Sequence, residues 1–349
     1  MLLTIDIGTG TQDILIFDNQ EKYRENFIKM IFPSYSLKYF NQVKKMTGDI
    51  FIKGDPIGGG PLKKALEKHI KKGYRVAFCN NSYKTVRDSE EEVLQKGFEV
   101  CRGDNNYPNI LEIKEFDINI FNCIFDSFDV SWNEIDSILI ACQDHGFRDM
   151  KGTEREFRLN LFKEALSENN DVRKFLFKSN RIPKTFLRMN ALAERVKKEG
   201  FEKDIYIMDT VFAACAGVTS DERFDFDSYN LILNFGNSHT LGIVVKGYNV
   251  HALFEHHTRI LEKNPHFLKK IIDDFLEWNL SSKEVMDNDG HGSFYLTDSK
   301  LTIKNIFVTG PRRNIACNFE REYINASPWG DMMITGNVGL INSFNSIFS

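Results

Sequence analysis

Two short polar turns, each placed between apolar segments, carry the residues with the most recognisable chemistry. The first, Gly8-Thr9-Gly10-Thr11, follows Asp6 at the end of an apolar run. The second, Gly236-Asn237-Ser238-His239-Thr240, follows Asn234. Small glycine-bearing turns let backbone N–H groups approach phosphate oxygens, and hydroxyls add further donors. A carboxylate beside such a turn, here Asp6, can hold a hydrated Mg²⁺ near the phosphates.

The histidines form a second group of candidates. Five of the eight lie in polar segments with turn-like composition: His145, His239, His256, His257 and His291. With Asp144, Glu255 or Asp289 nearby in the chain, neutral imidazoles can bind a divalent metal or act as a general base. We take Asp144 and His145 as catalytic candidates, and a histidine-dependent metallohydrolase as one functional hypothesis. No HxxxH or HExxH spacing occurs, so local hydrogen bonding within each loop is the alternative interpretation.

Two further segments offer groups that bind anions. Gly310 ends an apolar run and precedes Arg312, whose guanidinium fork can hold a phosphate or a carboxylate with two hydrogen bonds. An exposed ion pair is the alternative for Arg312. Residues 58–60 are three glycines before a proline and a basic segment, so a helix beginning there would present its N-terminal amides to an anion. The alternative is a loop that needs backbone freedom.

The elements that must position these residues alternate between strand and helix patterns, which predicts an α/β architecture. Strands are predicted at 2–7, 13–18, 26–32, 49–53, 75–79, 137–142, 205–208, 231–235, 240–246, 251–254 and 304–308. Helices are predicted at 62–72, 82–96, 154–167, 171–177, 190–198, 212–218, 267–280 and within 331–348.

Five segments in fixed order resemble the motifs of the actin-like ATPase superfamily, which includes sugar kinases, Hsp70 and actin. They are two phosphate motifs (6–11 and 234–240), two connecting helices (209–217 and 333–340) and an adenosine motif (306–310). The resemblance implies two lobes of duplicated ribonuclease H-like domains with a central cleft. It also implies ATP or another phosphorylated ligand with Mg²⁺, and a role for Asp209 in orienting the attacking water or hydroxyl. The acidic stretch 220–228 then separates an N-terminal lobe, 1–222, from a C-terminal lobe, 223–349.

Two departures from the superfamily pattern keep a second function open. Asn234 stands where the second phosphate motif has an aspartate, and Gly310 is followed by Pro311 instead of a second glycine. Losing a carboxylate near the metal favours ligand binding without turnover. The hypotheses are therefore phosphoryl transfer or hydrolysis, and a non-catalytic regulator that closes on a ligand and acts on a protein partner.

A closer resemblance is to a prokaryotic family labelled as pyruvate formate-lyase activating enzyme. It rests on segments spread over most of the chain: 58–61 (GGGP), 143–146 (QDHG), 209–210, 236–240 (GNSHT), 254–258 (FEHHT), 290–292 (GHG) and 309–313 (TGPRR). Activators of glycyl-radical enzymes hold an iron–sulfur cluster on a CxxxCxxC triplet. The six cysteines form no such triplet, so radical chemistry is not expected and buried free thiols are predicted.

The amino-acid composition indicates which classes of binding partner to expect. The net charge of −4 and a pI near 6.1 lack the basic excess of nucleic-acid-binding proteins. No uncharged apolar run approaches the roughly 18–20 residues that span a bilayer, and no signal peptide is recognised. We expect a cytoplasmic protein that binds a small phosphorylated ligand and neither membrane nor nucleic acid.

Overall fold

The computed structural model describes residues 1–103, 107–147 and 154–347. Its strands are β1 (Leu2–Ile7), β2 (Thr11–Phe17), β3 (Ile28–Pro33), β4 (Ile50–Gly54), β5 (Val76–Cys79), β6 (Glu99–Cys101), β7 (Asn109–Ile113), β8 (Ser137–Cys142), β9 (Phe177–Lys178), β10 (Asp204–Met208), β11 (Tyr229–Phe235), β12 (His239–Lys246), β13 (Asn249–His257), β14 (Gly292–Tyr295), β15 (Ile303–Thr309) and β16 (Ile324–Asn325). Its helices are α1 (Tyr35–Lys45), α2 (Gly60–Lys71), α3 (Glu90–Gln95), α4 (Ile118–Ser127), α5 (Glu154–Glu168), α6 (Leu187–Lys198), α7 (Thr210–Val218), α8 (Thr258–Lys263), α9 (Pro265–Leu276), α10 (Ser282–Asp287) and α11 (Thr335–Asn345). Over these ranges no helix combines the length and the apolar character needed to cross a membrane.

The first lobe is built on a six-stranded sheet in the order β3-β2-β1-β8-β10-β9. Strands β1, β2 and β3 form an antiparallel meander, whereas β8 and β10 run parallel to β1. Apolar residues fill β1 and β8, and both strands are almost fully buried because helices and the neighbouring lobe cover the sheet. The predicted strands at 2–7 and 137–142 are confirmed.

The second lobe repeats this arrangement on a sheet ordered β14-β13-β12-β11-β15-β16. Strands β11, β12 and β13 again form an antiparallel meander, and β15 and β16 are parallel to β11. The strands β3-β2-β1-β8-β10 of the first sheet therefore correspond, in order and in direction, to β13-β12-β11-β15-β16 of the second. The duplicated topology confirms the predicted actin-like α/β fold with two lobes.

Two helices, α7 and α11, pack closely against each other beside the two sheets. Their contact has no room for side chains: a Cβ atom added to Gly217 would lie 1.8 Å from the carbonyl oxygen of Thr335. One added to Gly339 would lie 1.8 Å from the carbonyl oxygen of Ala213. Small residues in the two predicted connecting helices thus permit the close approach that the sequence indicated.

A separate four-stranded parallel sheet, β6-β5-β4-β7, lies within the first lobe between β3 and β8 in the sequence. It has its own apolar core against α1 and α2. The glycine segment 58–60 ends the connection from β4 and begins α2, with Pro61 in its first turn. This inserted sheet brings the glycine segment to the cleft.

Two predicted helices are wrong in extent. The helix predicted at 82–96 is divided into a 3₁₀ segment, Asn80–Thr85, and the short helix α3. The two are separate because the backbone of Ser89 is extended and the three glutamates after it favour the start of a new helix. The 171–177 helix is a 3₁₀ turn, Val172–Phe175, followed by β9. Helices α1, α4, α8 and α10 were not predicted. The tail helix is α11, and residue 348 of that prediction lies outside the described ranges.

Candidate functional site

The two glycine turns have the same geometry and touch each other. The N–H of Gly8 donates to the carbonyl oxygen of Thr11 at 2.9 Å, and the N–H of Gly236 donates to that of His239 at 2.9 Å. The hydroxyl of Ser238 donates to the hydroxyl oxygen of Thr9 at 3.0 Å. Loops far apart in the sequence are thereby brought into one site.

The turns line a cavity of about 770 Å³ between the two lobes and the inserted sheet. Small-molecule sites usually measure roughly 300–1,000 Å³, so the cavity has the size of a nucleotide or metabolite site. Of the fifteen residues predicted to act in catalysis or phosphate binding, eleven lie in its wall: Asp6, Gly8, Thr9, Thr11, Asp144, His145, Gly236, Asn237, Ser238, His239 and Gly310.

Four predicted residues lie outside the cavity wall. Gly10 packs beneath the turn of the second lobe, where an added Cβ would lie 2.6 Å from Nδ2 of Asn237. Thr240 is fully buried and shares a hydrogen bond of 3.0 Å with a threonine hydroxyl of α8. Arg312 is about half exposed and forms an ion pair of 3.0 Å with Glu262. The fourth, Asp209, belongs to a buried charge network.

Asp209 ends the connection from β10 and caps α7, where its Oδ1 accepts the N–H of Val211 at 3.0 Å. Arg158 of α5 donates from its two terminal nitrogens to the Asp209 oxygens at 2.8 and 3.1 Å. Nε of the same guanidinium donates to Glu255 of β13 at 3.2 Å. All three side chains are buried. Arg158 therefore joins a carboxylate of the first lobe to one of the second.

Asp6 and Asp13 face each other across the β1–β2 pair and both line the cavity. Asp6 Oδ1 accepts the hydroxyl of Thr210 at 2.8 Å, and a Cβ on Gly336 would lie 2.0 Å from Asp6 Oδ2. Burial, only partly offset by the Thr210 hydrogen bond, raises the pKa of Asp6 to about 6. Burial and the adjacent Asp6 charge raise the pKa of Asp13 to about 8.

The pair fits a hard cation. Asp13 Oδ1 is buried and has no hydrogen-bond partner in the part of the chain that the structure describes. Adjacent carboxylate oxygens that repel each other are stabilised by a divalent ion, and carboxylate and water oxygens are the ligands that Mg²⁺ prefers. Asp6 and Asp13 are the residues that would hold such an ion, directly or through water.

The raised pKa of Asp13 predicts a pH dependence of stability in the ligand-free protein. The folded state keeps a proton that the unfolded state releases, so stability falls as pH rises from about 4 to about 8. Asp13→Asn removes the contribution of Asp13 to this dependence, and we expect the variant to be more stable than the wild type by about 1–3 kcal/mol at pH 8. At pH 4 the two should be nearly equal. Urea unfolding at several pH values, without divalent cations, measures the difference; a constant difference contradicts the shift.

Four histidines pack together at one side of the cavity. The ring centroids of His239 and His291 are 4.7 Å apart, those of His239 and His257 4.9 Å, and those of His145 and His291 6.0 Å. Burial, reinforced by the charge of Arg158, lowers the pKa of His145 to about 3. Burial also lowers the pKa of His239 well below its usual range, against the opposing charge of Glu255. These two imidazoles are neutral at pH 7.

Cationic and amide donors surround the rest of the cavity. Arg188 donates to the Glu115 carboxylate with two hydrogen bonds of 2.7 Å and keeps its charge in the cavity wall. The segment 58–60 places the start of α2 there, next to Thr9. Further cationic side chains in the wall are Lys63, Lys64, Lys84, Arg87 and Arg259. The wall therefore suits an anionic ligand.

Sequence reasoning missed Asp13, Arg158 and Arg188. A signal existed for Asp13, because a hairpin centred on residues 8–11 puts it opposite Asp6. No sequence signal indicated Arg158, because its hydrogen-bond partners lie 51 and 97 residues away in the chain. Asp144 was identified, and it holds a structural position: its carboxylate accepts the N–H groups of Gly146 and Met189 at 2.9 and 3.0 Å.

Comparisons with known proteins give low identities. The solved PilM–PilN type IV pilus biogenesis complex is similar at 9% identity with a TM-score of 0.40, covering 99% of this chain and 98% of that one. An exopolyphosphatase from Cytophaga hutchinsonii is similar at 11% identity with a TM-score of 0.34, covering 99% and 90%. No curated protein matches.

A family profile matches residues 57–315, which contain the histidines of the cavity and the second glycine turn. Its description is "Putative pyruvate format-lyase activating enzyme (DUF1786)". Because the match extends over more than half of the chain, the protein belongs to this family.

Proposed function

We propose that the protein binds a phosphorylated small molecule, such as a nucleotide, with a divalent cation in the cleft, and transfers or hydrolyses a phosphoryl group. The cleft lies between the proposed lobes 1–222 and 223–349. One observation carries the proposal: two equivalent glycine turns, one from each lobe, meet at Thr9 and Ser238 beside the Asp6–Asp13 carboxylate pair. The same cavity presents donors for phosphate oxygens and oxygens for a cation.

Each group has a separate task in this proposal. The turns after Asp6 and Asn234 donate N–H and hydroxyl groups to phosphate oxygens from opposite sides, as backbone anion sites do. The cationic side chains of the cavity wall offset the remaining negative charge of the phosphate groups. A bound Mg²⁺ would neutralise charge that develops on the phosphate oxygens during transfer. Contacts from both lobes favour a closed cleft, which keeps bulk water from the reacting group.

We assign the proton-accepting role to Asp13. Arg158 and the start of α7 occupy both oxygens of Asp209, and Asp209 does not line the cavity. Asp13 lines the cavity, and its Oδ1 has no hydrogen-bond partner among the described residues, so this oxygen remains able to accept a proton from a water or hydroxyl. In this assignment Asp6 positions the cation and Asp13 accepts the proton of the attacking water or hydroxyl.

A ligand screen tests the binding step. We expect ATP, ADP or another phosphorylated metabolite to raise the apparent stability in a Mg²⁺-dependent way, by about 2.7 kcal/mol at a hundredfold excess over Kd. Asp6→Asn should remove the Mg²⁺-dependent part. Asp126→Asn, the same change on an exposed residue of α4, should leave it intact. Thermal unfolding and calorimetry measure both effects, and an equal Mg²⁺ response in both variants rejects the assignment of Asp6.

A regulator without turnover is the second candidate, and Asn234 favours it. This residue lines the cavity at the position equivalent to Asp6, so the second lobe adds no carboxylate there. Ligand binding by the wild type without any phosphate release would select this candidate. The six cysteines are free thiols as predicted, but only Cys142 and Cys215 are buried, and no cysteine belongs to a group of potential metal ligands in the described ranges. A cysteine-held iron–sulfur cluster therefore does not fit this chain.

A further inference from the structure

Three of the clustered histidines could share a single ion. One ring nitrogen from each of His145, His239 and His291 lies within 4.8 Å of those of the other two. The residues come from three places in the fold: the loop after β8, the start of β12 and the residue before β14. Convergence of three imidazoles from separate segments is hard to explain by local loop bonding, because each loop could be satisfied without the others.

Buried partners hold the rings in place. The Nδ1 atoms of His239 and His291 lie 3.9 and 3.6 Å from the two carboxylate oxygens of Glu255. The side-chain amide of Gln143 contacts His239 Nδ1 at 2.7–3.0 Å. Carboxylates and amides behind metal-binding histidines orient the rings and make them better ligands. The cluster has the outer partners that a metal centre uses.

A buried network of three charged side chains adjoins the cluster. Arg158 contributes one positive charge at the cluster, and Glu255 and Asp209 contribute two negative charges. The buried network is therefore negative by one charge before any ion binds.

We propose that His145, His239 and His291 form a mononuclear site for a divalent first-row transition metal such as Zn²⁺ or Fe²⁺. Imidazole nitrogens select this class, whereas the Asp6–Asp13 oxygens select hard cations. His145 and His239 lie in the cavity wall and His291 is buried behind them, so the ion faces the cleft. Three protein ligands with a position open to the cleft are the pattern of a catalytic metal site.

The geometry needs only small adjustment. Ligand atoms around a tetrahedral ion with bonds of about 2.1 Å are roughly 3.4 Å apart. The three ring nitrogens already lie within 4.8 Å of one another, so they must move closer by little more than an ångström, about the difference between these two spacings. The site does not depend on nucleotide binding, so its test is separate from that of the proposed function.

Titration of chelator-stripped full-length protein with Co²⁺ tests the proposal. We expect one ion per chain, the strong visible absorption of four- or five-coordinate cobalt, and displacement by Zn²⁺. His239→Gln and His291→Gln should each weaken binding by more than about 100-fold, since changes in outer partners alone cost 10–100-fold. His251→Gln, the same change on β13 beside Tyr229, is the matched control and should bind as the wild type does.

Three results would overturn the proposal. They are the absence of stoichiometric binding, binding that survives in both histidine variants, and a spectrum of octahedral oxygen ligation that Asp6→Asn abolishes. Circular dichroism establishes that each variant folds. Where a variant does not fold, X-ray absorption spectroscopy of the wild-type cobalt form counts imidazole ligands directly: three support the site, and none or one rejects it.

Discussion

Replacing Arg158 with methionine should cost the folded protein about 3–5 kcal/mol, the usual loss when one partner of a buried ion pair is removed. The guanidinium is fully buried and donates to Asp209 and Glu255 at 2.8–3.2 Å. Burial alone would raise the pKa of Glu255, but the charge of Arg158 holds it below its usual range. Without Arg158, the buried carboxylates of Asp209 and Glu255 lose the cation that both of them bind.

Denaturant midpoints and thermal unfolding measure this loss. Arg321→Met is the matched control, because Arg321 forms an exposed ion pair with Asp273 and such pairs contribute at most about 1 kcal/mol. In a background with Asp209→Asn and Glu255→Gln, removing Arg158 should cost less, since no charge is stranded. A loss below 1 kcal/mol in the otherwise native protein would show that the network does not join the lobes energetically.

Gly339→Ala should also be strongly destabilising, by at least about 2–3 kcal/mol. Replacing a glycine within a helix by alanine normally stabilises by roughly 0.5–1 kcal/mol, so the expected sign is reversed. The reason is the α7–α11 contact, where the new Cβ would lie 1.8 Å from a backbone oxygen and 2.7 Å from the backbone nitrogen of Gly217. Backbone atoms cannot rotate away, so the two helices must separate.

The same substitution at Gly103 is the control. An added Cβ there meets no atom of the described residues within 4 Å, and we expect a change within about 0.5 kcal/mol. Because α11 begins at the cleft and Gly336 packs against Asp6, Gly339→Ala should also weaken ligand binding. Unfolding midpoints test the first effect and calorimetry the second. Equal stability of the Gly339 and Gly103 variants would mean that the helices part without cost.

Local features of the chain were determined by the sequence. The strands around Gly8 and Gly236 follow from apolar runs broken by glycine turns, and the register of a hairpin depends on residues close in the chain. Alternating strands and helices indicated an α/β fold, and motif order indicated the actin-like class. The small residues of α7 and α11 indicated a close helix contact, although not which backbone atoms meet.

Only the tertiary structure decided which distant groups share a site. The sequence motif places Asp209 where a reactive carboxylate is expected, yet in the structure its oxygens accept hydrogen bonds from Arg158. Arg158 lies on α5, and the sequence pattern of that helix did not indicate this contact. His145 follows β8 of the first sheet and His291 precedes β14 of the second, and their ring centroids are 6.0 Å apart only because the two lobes pack together. Propensity and periodicity act over a few residues, whereas these contacts depend on how two sheets and an inserted domain pack together. That packing depends on the burial of apolar side chains from all parts of the sequence.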